Sequence, residues 1–278
     1  MTEVLHGLPA DGIVARNVRH SDETWQQRRL DDLAGSDGET VTGASIDLWF
    51  ADLAVWSSIN PHTLAELSPD EHERAARIPD VESRQDWQRS RALLRRILSR
   101  YLPAQTRLDI EPGAHGKPRL RTQDPHSLYF NLSHHRRRET SSGWILAISR
   151  AGEVGIDLEA VRAVPNASRL AQRVFSAAER EYLEIVSIDS AMQRDQVFLD
   201  IWTRKEALLK AIGDGFTRPA NALHVGPSAD SPHRAPLQVD VRAAGAYELV
   251  SLRSPGDHLV AVAAAFEPTR LRLTWLAP

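Results

Sequence analysis

The chain has 278 residues, of which 42% are hydrophobic and 26% are charged, a composition typical of a folded protein of one or two domains. It contains no cysteine, which excludes disulfides, thiolate metal sites and cysteine nucleophiles. Its 34 cationic and 37 acidic side chains give a formal net charge of −3, so nothing in the charge favours nucleic-acid binding. Without a long apolar run or a recognisable signal peptide, we expect a cytoplasmic protein that makes no membrane contact.

The first half of the chain predicts a strand followed by two helices and two further strands. Residues 1–43 are polar and irregular, and we expect a flexible extension there. The apolar run 46–50 predicts the first strand, and Ser68 with Pro69 and Glu71 has the pattern of a helix start with a capping box. A second helix is predicted from Ser83 to before Pro103. Alternating apolar residues then predict paired strands at 128–132 and 144–149, joined by residues 136–143.

The pattern restarts near residue 150. A strand is predicted at 154–158, a helix with a Ser176–Glu179 capping box, and a long helix from about Ser190 to Ile212 that Gly213 ends. Four more strand-like runs are 237–241, 247–252, 259–266 and 271–275. Both halves mix helices and strands, so the prediction is an α+β protein with two similar-sized subdomains, 44–150 and 151–278.

The strand at Val154–Glu159 carries the first chemical signal. Side chains alternate along a strand, so Asp157 and Glu159 share one face. Two neighbouring carboxylates repel unless a cation lies between them, and Mg²⁺ prefers such oxygen ligands. The alternative is a half-buried strand with two solvated acids.

The segment Trp202–Lys210 carries the second signal. On a helix, Trp202, Glu206 and Lys210 lie above one another. The alternative is an ordinary surface ion pair. However, the chain has only three lysines, Lys117, Lys205 and Lys210, and two of them lie in this segment, which weakens that alternative.

Two shorter segments add polar groups. In the turn His115–Pro118, Gly116 and Pro118 flank Lys117 and could direct its ammonium group towards a phosphate. The segment 130–135 ends a predicted strand with Ser133 and His134. A Ser–His hydrolase pair is disfavoured because adjacent strand residues point to opposite faces. Together the four segments supply carboxylates for a metal and cations for phosphate, which suits a metal-bound pyrophosphate ligand.

These segments, in this order, resemble the Sfp-type (surfactin-type) 4′-phosphopantetheinyl transferases over roughly residues 46–266. The pairing of the acidic strand with the Trp-x-x-Lys-Glu-x-x-x-Lys helix is the specific part of the resemblance. The matching segments are Gly116–Pro118, Asn131–His134, Val154–Glu159, Arg173–Ser176 with Glu179, and Trp202–Lys210.

The resemblance implies two α/β subdomains in a pseudo-twofold arrangement with coenzyme A in the cleft between them. It implies transfer of the phosphopantetheine arm of coenzyme A to a serine of an apo acyl, peptidyl or aryl carrier domain, with release of 3′,5′-ADP. By the same resemblance, Asp157, Glu159 and Glu206 hold Mg²⁺, with Mn²⁺ as the alternative ion. Glu206 also serves as the base, directly or through water, and Lys210 stabilises the leaving phosphate.

The resemblance further implies which residues bind coenzyme A. Those carried over as coenzyme A ligands are Arg74, Arg77, Arg91, Gly116, Lys117, Pro118, Ser133 and His134. His135, where relatives often have a small residue, and the long 136–142 connection depart from the pattern. A monomer is expected. The other functions considered are a coenzyme A-binding regulatory protein without catalysis and a metal-dependent pyrophosphate hydrolase.

Overall fold

The computed structural model describes most of the chain between residues 15 and 277. The described ranges are 15–17, 24–29, 41–53, 65–103, 106–113, 116–121, 128–135, 143–187, 190–213, 219–227 and 247–277. The predicted strand at 237–241, the connection 136–142 and His115 lie outside them. No helix within these ranges combines the length and the apolar character needed to cross a membrane.

The described residues form eleven strands, five α-helices and a short 3₁₀ helix at Ala220–Ala222. The strands are β1 Ala15–Asn17, β2 Gln26–Arg29, β3 Ser45–Asp52, β4 Ile110–Pro112, β5 Pro118–Leu120, β6 Tyr129–His134, β7 Gly143–Ser149, β8 Val154–Glu159, β9 Tyr247–Arg253, β10 Leu259–Ala264 and β11 Arg270–Ala277. The α-helices are α1 Pro69–Ala76, α2 Val81–Ser99, α3 Ala167–Val174, α4 Ala177–Ser187 and α5 Ala191–Ile212.

Most of the predicted elements and both capping boxes are confirmed. Ser68 caps α1 with Glu71, and Ser176 and Glu179 exchange the same two hydrogen bonds at the start of α4. Gly213 ends α5 in the left-handed conformation. The second helix differs: it begins at Val81, because Asp80 caps it by accepting from the Ser83 amide.

Two main sheets pack face to face, each with a helix on its outer side. The first has the strand order β2–β11–β3–β7–β6 and the second the order β1–β9–β10–β8, while β4 and β5 form a separate hairpin. Ile46 and Leu48 of the first sheet share a core with Ile156 and Val260 of the second. On the outer faces, α2 packs on the first sheet and α5 on the second. The predicted α+β class is therefore confirmed, while the pseudo-twofold relationship stays a prediction.

The last strand belongs to the first sheet, although the predicted division of the chain assigns its residues to the C-terminal subdomain. Strand β11 lies beyond residue 151 but pairs in parallel with β3 of the first sheet. Leu271 and Leu273 contribute to the core between the sheets, and Arg272 forms an ion pair with Asp47. Both interactions are available only beside β3, so the N-terminal sheet is completed by the C-terminal segment.

Part of the predicted extension is also ordered as strand. Strand β1 pairs with β9 at the edge of the second sheet, and β2 pairs with β11 at the edge of the first. The Trp25 indole donates to the Arg253 carbonyl at 2.8 Å and contacts the Phe50 ring edge-on. The prediction of an irregular segment is wrong at these two strands, because unpaired sheet edges offer backbone partners that a local pattern does not reveal.

Candidate active site

The candidate site lies where an edge strand of each sheet meets α5. Strand β6 ends the first sheet and β8 ends the second, and the Ile156 amide donates to Asn131 Oδ1 at 2.8 Å across this junction. Helix α5 packs against β8, which Gly155 permits because a Cβ there would fall 2.1 Å from the Ala207 carbonyl oxygen. The face of β8 that carries Gly155 also carries Asp157, as the strand period requires.

Lys210 is the centre of a polar cluster that draws on all three elements. Its Nζ lies 2.7 Å from Asp157 Oδ1 and donates to Ser133 Oγ and the Ile156 carbonyl, both at 3.1 Å. The Ser133 hydroxyl donates to the same Asp157 oxygen at 2.9 Å. Asp157 is buried, so this ammonium and hydroxyl offset the cost of removing its carboxylate from water.

Glu159 lies at the outer end of the same strand face. Arg162 forms an ion pair with its carboxylate at 3.1 Å, and His135 Nδ1 lies 3.4 Å away. Burial and the nearby Asp157 raise the pKa of Glu159, while Arg162 and a hydrogen bond from Trp202 oppose that rise. The repulsion between the two acids supports the prediction that they share one face.

Glu206 is the third acid of the cluster. Burial and the Asp157 and Glu159 carboxylates raise its pKa to about 7, against a smaller opposing effect of Lys210. Its Oε1 is buried and has no hydrogen-bond partner among the residues that the structure describes. A buried oxygen with no donor is costly, so this atom is available to a ligand that brings a cation or a proton.

The three acids have the right chemistry for a divalent cation but are not arranged as a closed cage. Within the described ranges, no group of three or more His, Asp or Glu side chains is spaced to hold a metal as it stands. Asp157 is held by Lys210 and Glu159 by Arg162. Hard carboxylate oxygens and the unpartnered Glu206 Oε1 nevertheless fit Mg²⁺.

The predicted Gly–Lys–Pro turn borders a cavity of about 410 Å³ through its last two residues. Lys117 and Pro118 line one side, and Ile212 and Gly213 at the end of α5 line another. The Lys117 ammonium donates to Glu153 at 2.6 Å and to the Val154 carbonyl at 3.0 Å. Gly116 has a φ of +83°, which favours glycine at that position in the turn.

The remaining predicted ligands are spread along the first sheet and its helices. Arg74 and Arg91 each lie over the Trp87 indole, at 5.8 and 5.7 Å from the ring centre. Arg91 also pairs with Glu71 at 3.1 Å. Arg77 is exposed and pairs with Glu73 along α1 at 3.5 Å; no described contact brings it to the other two.

Ser133 and His134 point to opposite faces of β6. Ser133 is buried against the cluster and His134 is exposed, which agrees with the argument against a Ser–His nucleophilic pair. The structure thus brings together Ser133, Asp157, Glu159, Glu206 and Lys210. His134 lies within electrostatic reach of this cluster, since desolvation of its ring and the charge of Lys210 lower its pKa while Asp157 opposes that change.

Sequence reasoning assigned no role to three charged or titratable side chains at the cluster or on the helix that carries it. Arg162 and His135 contact Glu159, and Lys205 lies fully buried on the far side of α5. Of these three, only Lys205 could have been singled out from the sequence, because it is one of three lysines in an arginine-rich chain. The other two depend on contacts between segments that meet only in the fold.

Comparison with known proteins provides an independent finding. A family model described as the 4′-phosphopantetheinyl transferase superfamily matches residues 153–263. The chain is 35% identical over 183 residues to the 4′-phosphopantetheinyl transferase HetI of Nostoc sp., an alignment that covers 64% of this chain and 73% of HetI. It is 36% identical over 159 residues to AcpT of Escherichia coli, covering 57% and 72%. Sfp of Bacillus subtilis is 26% identical over 167 residues, covering 60% and 69%.

Proposed function

The chain belongs to the 4′-phosphopantetheinyl transferase superfamily, and from that premise we propose that it transfers the 4′-phosphopantetheine arm of coenzyme A to a serine of an apo carrier domain. The products are the holo carrier and 3′,5′-ADP. The observation that carries the proposal is the convergence of Lys210, Ser133 and the carboxylates of Asp157, Glu159 and Glu206 where β6, β8 and α5 meet. We assign the chain to the Sfp-type branch on the motifs that the sequence presents.

Coenzyme A binds along the junction of the two sheets in this proposal. The cavity bordered by Lys117 and Pro118 takes the adenosine end. Lys117 neutralises phosphate charge, while His134, whose pKa is lowered by desolvation of its ring and by the nearby Lys210, contacts coenzyme A through its ring. Ser133 contacts the pyrophosphate through the cluster that it shares with Lys210. Arg74 and Arg91, with the exposed Arg77, supply positive charge for the 3′-phosphate.

Asp157, Glu159 and Glu206 are the residues that would hold Mg²⁺, with Mn²⁺ as the alternative ion. When bound, the ion supplies positive charge to the pyrophosphate, which phosphoryl transfer requires more than covalent catalysis. These residues suit Mg²⁺ because all three supply carboxylate oxygens and because Glu206 Oε1 has no hydrogen-bond partner among the described residues.

Glu206 and Lys210 carry out the proton transfer and the charge stabilisation in this proposal. The carrier serine Oγ forms a bond to the phosphorus that bears pantetheine, and the bond from that phosphorus to the bridging oxygen of 3′,5′-ADP breaks. Glu206 receives the serine proton directly or through a water. The Lys210 ammonium donates to the leaving phosphate oxygen, where negative charge develops.

Intact-mass analysis of an apo carrier domain incubated with this protein, coenzyme A and Mg²⁺ tests the proposal. The expected result is a mass gain of one phosphopantetheine arm that EDTA abolishes. Asp157→Ala and Glu206→Ala should abolish the gain, while Glu184→Ala, a change of an exposed acid on α4, should retain it.

Two other outcomes would replace the proposal. Coenzyme A binding without any gain, on carriers from fatty acid, polyketide and nonribosomal peptide synthesis, would favour a regulatory protein. Breakdown of coenzyme A without carrier labelling would favour a pyrophosphate hydrolase. Sizing chromatography of the active protein tests the accompanying proposal that it acts as a monomer.

A further inference from the structure

The far side of α5 holds a buried ion pair that takes no part in the chemistry proposed above. We propose that Lys205, paired with Glu179, is a positioning residue that sets the rotation of α5 and thereby places Glu206 and Lys210 at the site. The inference rests on the proposed function for its catalytic consequence, but its structural consequence can be measured without substrate.

The pair is enclosed completely. Both side chains have 0% exposure and the Lys205 Nζ lies 2.8 Å from Glu179 Oε2. The ammonium also donates to the carbonyls of Ala220 and Leu223 and lies 5.9 Å from the centre of the Phe175 ring. The polar contacts of Lys205 thus connect α5 to the 219–227 segment, which contains the 3₁₀ helix, and to α4.

Glu179 completes the connection from its own side. One carboxylate oxygen accepts from the amides of Val225 and Gly226 at 2.9 and 3.3 Å. The other accepts from the Ser176 amide at 2.7 Å, at the start of α4. A single carboxylate therefore joins the N-terminus of α4, the 219–227 segment and α5.

Arg204 supplies a second anchor to the same segment. Its guanidinium donates to the carbonyls of Gly226 and Val225 at 2.9 and 3.0 Å and to Ser251 Oγ of β9 at 2.6 Å. Adjacent helix residues are separated by about 100° of rotation, so Arg204 and Lys205 hold α5 from two directions. Two anchors at different angles prevent the helix from turning about its axis.

The rotation of α5 matters because the next residue is Glu206 and the next turn carries Lys210. Lys210 reaches Asp157 at 2.7 Å, and a displacement of about 1 Å in a catalytic group can cost on the order of 100-fold in rate. A buried ion pair is a poor source of net stability, because desolvation offsets its attraction. The directional hydrogen bonds of the pair can instead fix one orientation of the helix.

The test compares Glu179→Gln with Asp47→Asn. Both changes are isosteric and both remove the charge of a buried, ion-paired carboxylate, but Asp47 pairs with Arg272 in the first sheet, away from α5. Thermal unfolding should show a loss of stability in both. Steady-state transfer, measured well below both melting temperatures, should show kcat reduced about 10- to 100-fold in Glu179→Gln only, with the KM for coenzyme A within about threefold of wild type.

Lysine labelling gives the readout that needs no substrate. The chain has three lysines, so mass spectrometry after brief treatment with an amine-reactive reagent reports on Lys210 separately from Lys117 and Lys205. We expect Lys210 to label several-fold faster in Glu179→Gln and at the wild-type rate in Asp47→Asn. Lys205→Met serves as the second variant and should match Glu179→Gln in kcat and in Lys210 labelling.

The two proposals fail in different ways. If Glu179→Gln and Lys205→Met lose stability but keep wild-type kcat and Lys210 labelling, the pair is only structural and the inference is overturned. If wild type modifies no carrier, the proposed function fails, while the labelling comparison still decides whether the pair positions Lys210.

Discussion

The backbone of Gly155 lies directly against the backbone of Ala207. A Cβ at position 155 would fall 2.1 Å from the Ala207 carbonyl oxygen and 2.3 Å from the Ala211 amide nitrogen. Both neighbours are backbone atoms of α5, which cannot move aside as a side chain could. This contact sets the distance between the strand that carries Asp157 and the helix that carries Glu206 and Lys210.

Replacing Gly155 should therefore damage both stability and activity. We expect Gly155→Ala to lower the free energy of unfolding by about 1–3 kcal/mol or more, because α5 must move off the sheet. The same movement separates Lys210 from Asp157, so transfer activity should fall sharply in protein that remains folded. Denaturant unfolding and a carrier-modification assay measure the two effects.

Gly152→Ala is the matched control for that prediction. A Cβ there meets a carbon of the Phe266 ring at 3.3 Å, a side chain that can adjust. Its stability and activity should stay close to wild type. Equal behaviour of the two variants would show that the Gly155 contact does not set the site.

Substitutions of Lys210 and Lys117 should change different kinetic parameters. Lys210→Met removes the ammonium that contacts Asp157. Under the proposed role of this ammonium at the leaving phosphate, kcat should fall on the order of 100-fold or more. Lys117→Met removes a charge at the cavity, where it pairs with Glu153, so it should mainly raise the KM for coenzyme A. Steady-state kinetics on an apo carrier separate the two, and wild-type kcat in Lys210→Met would contradict the role assigned to it.

Glu206 should make the metal-free protein less stable at alkaline pH. Its folded-state pKa of about 7 exceeds the ordinary value of 4.5, so the folded protein holds this proton more tightly than the unfolded chain does. Ionising Glu206 therefore costs the folded protein stability. This cost grows as the pH rises from 4.5 to about 7 and is fully present above that pH. Glu206→Gln should therefore raise stability by about 1–2 kcal/mol at pH 8 after allowance for solvent screening, and hardly at all near pH 4.5.

Melting temperatures in EDTA at several pH values check this expectation. Glu184→Gln, on the exposed face of α4, is the control and should show no pH-dependent gain. An equal increase for Glu206→Gln at both ends of the pH range would mean that ionisation is not the cause.

Trp25 tests whether the N-terminal segment belongs to the fold. Its indole donates to the Arg253 carbonyl and packs on Phe50, with ring centres 5.9 Å apart. We expect Trp25→Ala to lower the free energy of unfolding by about 1–3 kcal/mol, less than a fully buried tryptophan would because Trp25 is partly exposed. Thr24→Ala changes the exposed neighbour, and indistinguishable melting of the two variants would refute the packing role.

Local patterns predicted those parts of the fold that depend on near neighbours. The capping boxes at Ser68 and Ser176 and the end of α5 at Gly213 involve residues within one helical turn, and each is confirmed. The second helix start was misplaced because both Asp80 and Ser83 can cap a helix, and the structure selects Asp80. The short strands β1 and β2 had no such local signal, since their partners lie more than two hundred residues away.

By itself the sequence determined the chemistry available to this protein: an acidic strand face, a helix that aligns Glu206 with Lys210, and a mixed α+β pattern. Strand and helix periodicity suffices for those statements, because it acts over a few residues. Only the tertiary structure decided that Ser133 joins Lys210 and Asp157, that Lys117 pairs with Glu153, and that Lys205 lies buried against Glu179. It also decided that the C-terminal strand completes the N-terminal sheet. These contacts join segments far apart in the chain, and their partners are selected by burial and by the need to satisfy buried charges, which no local pattern records.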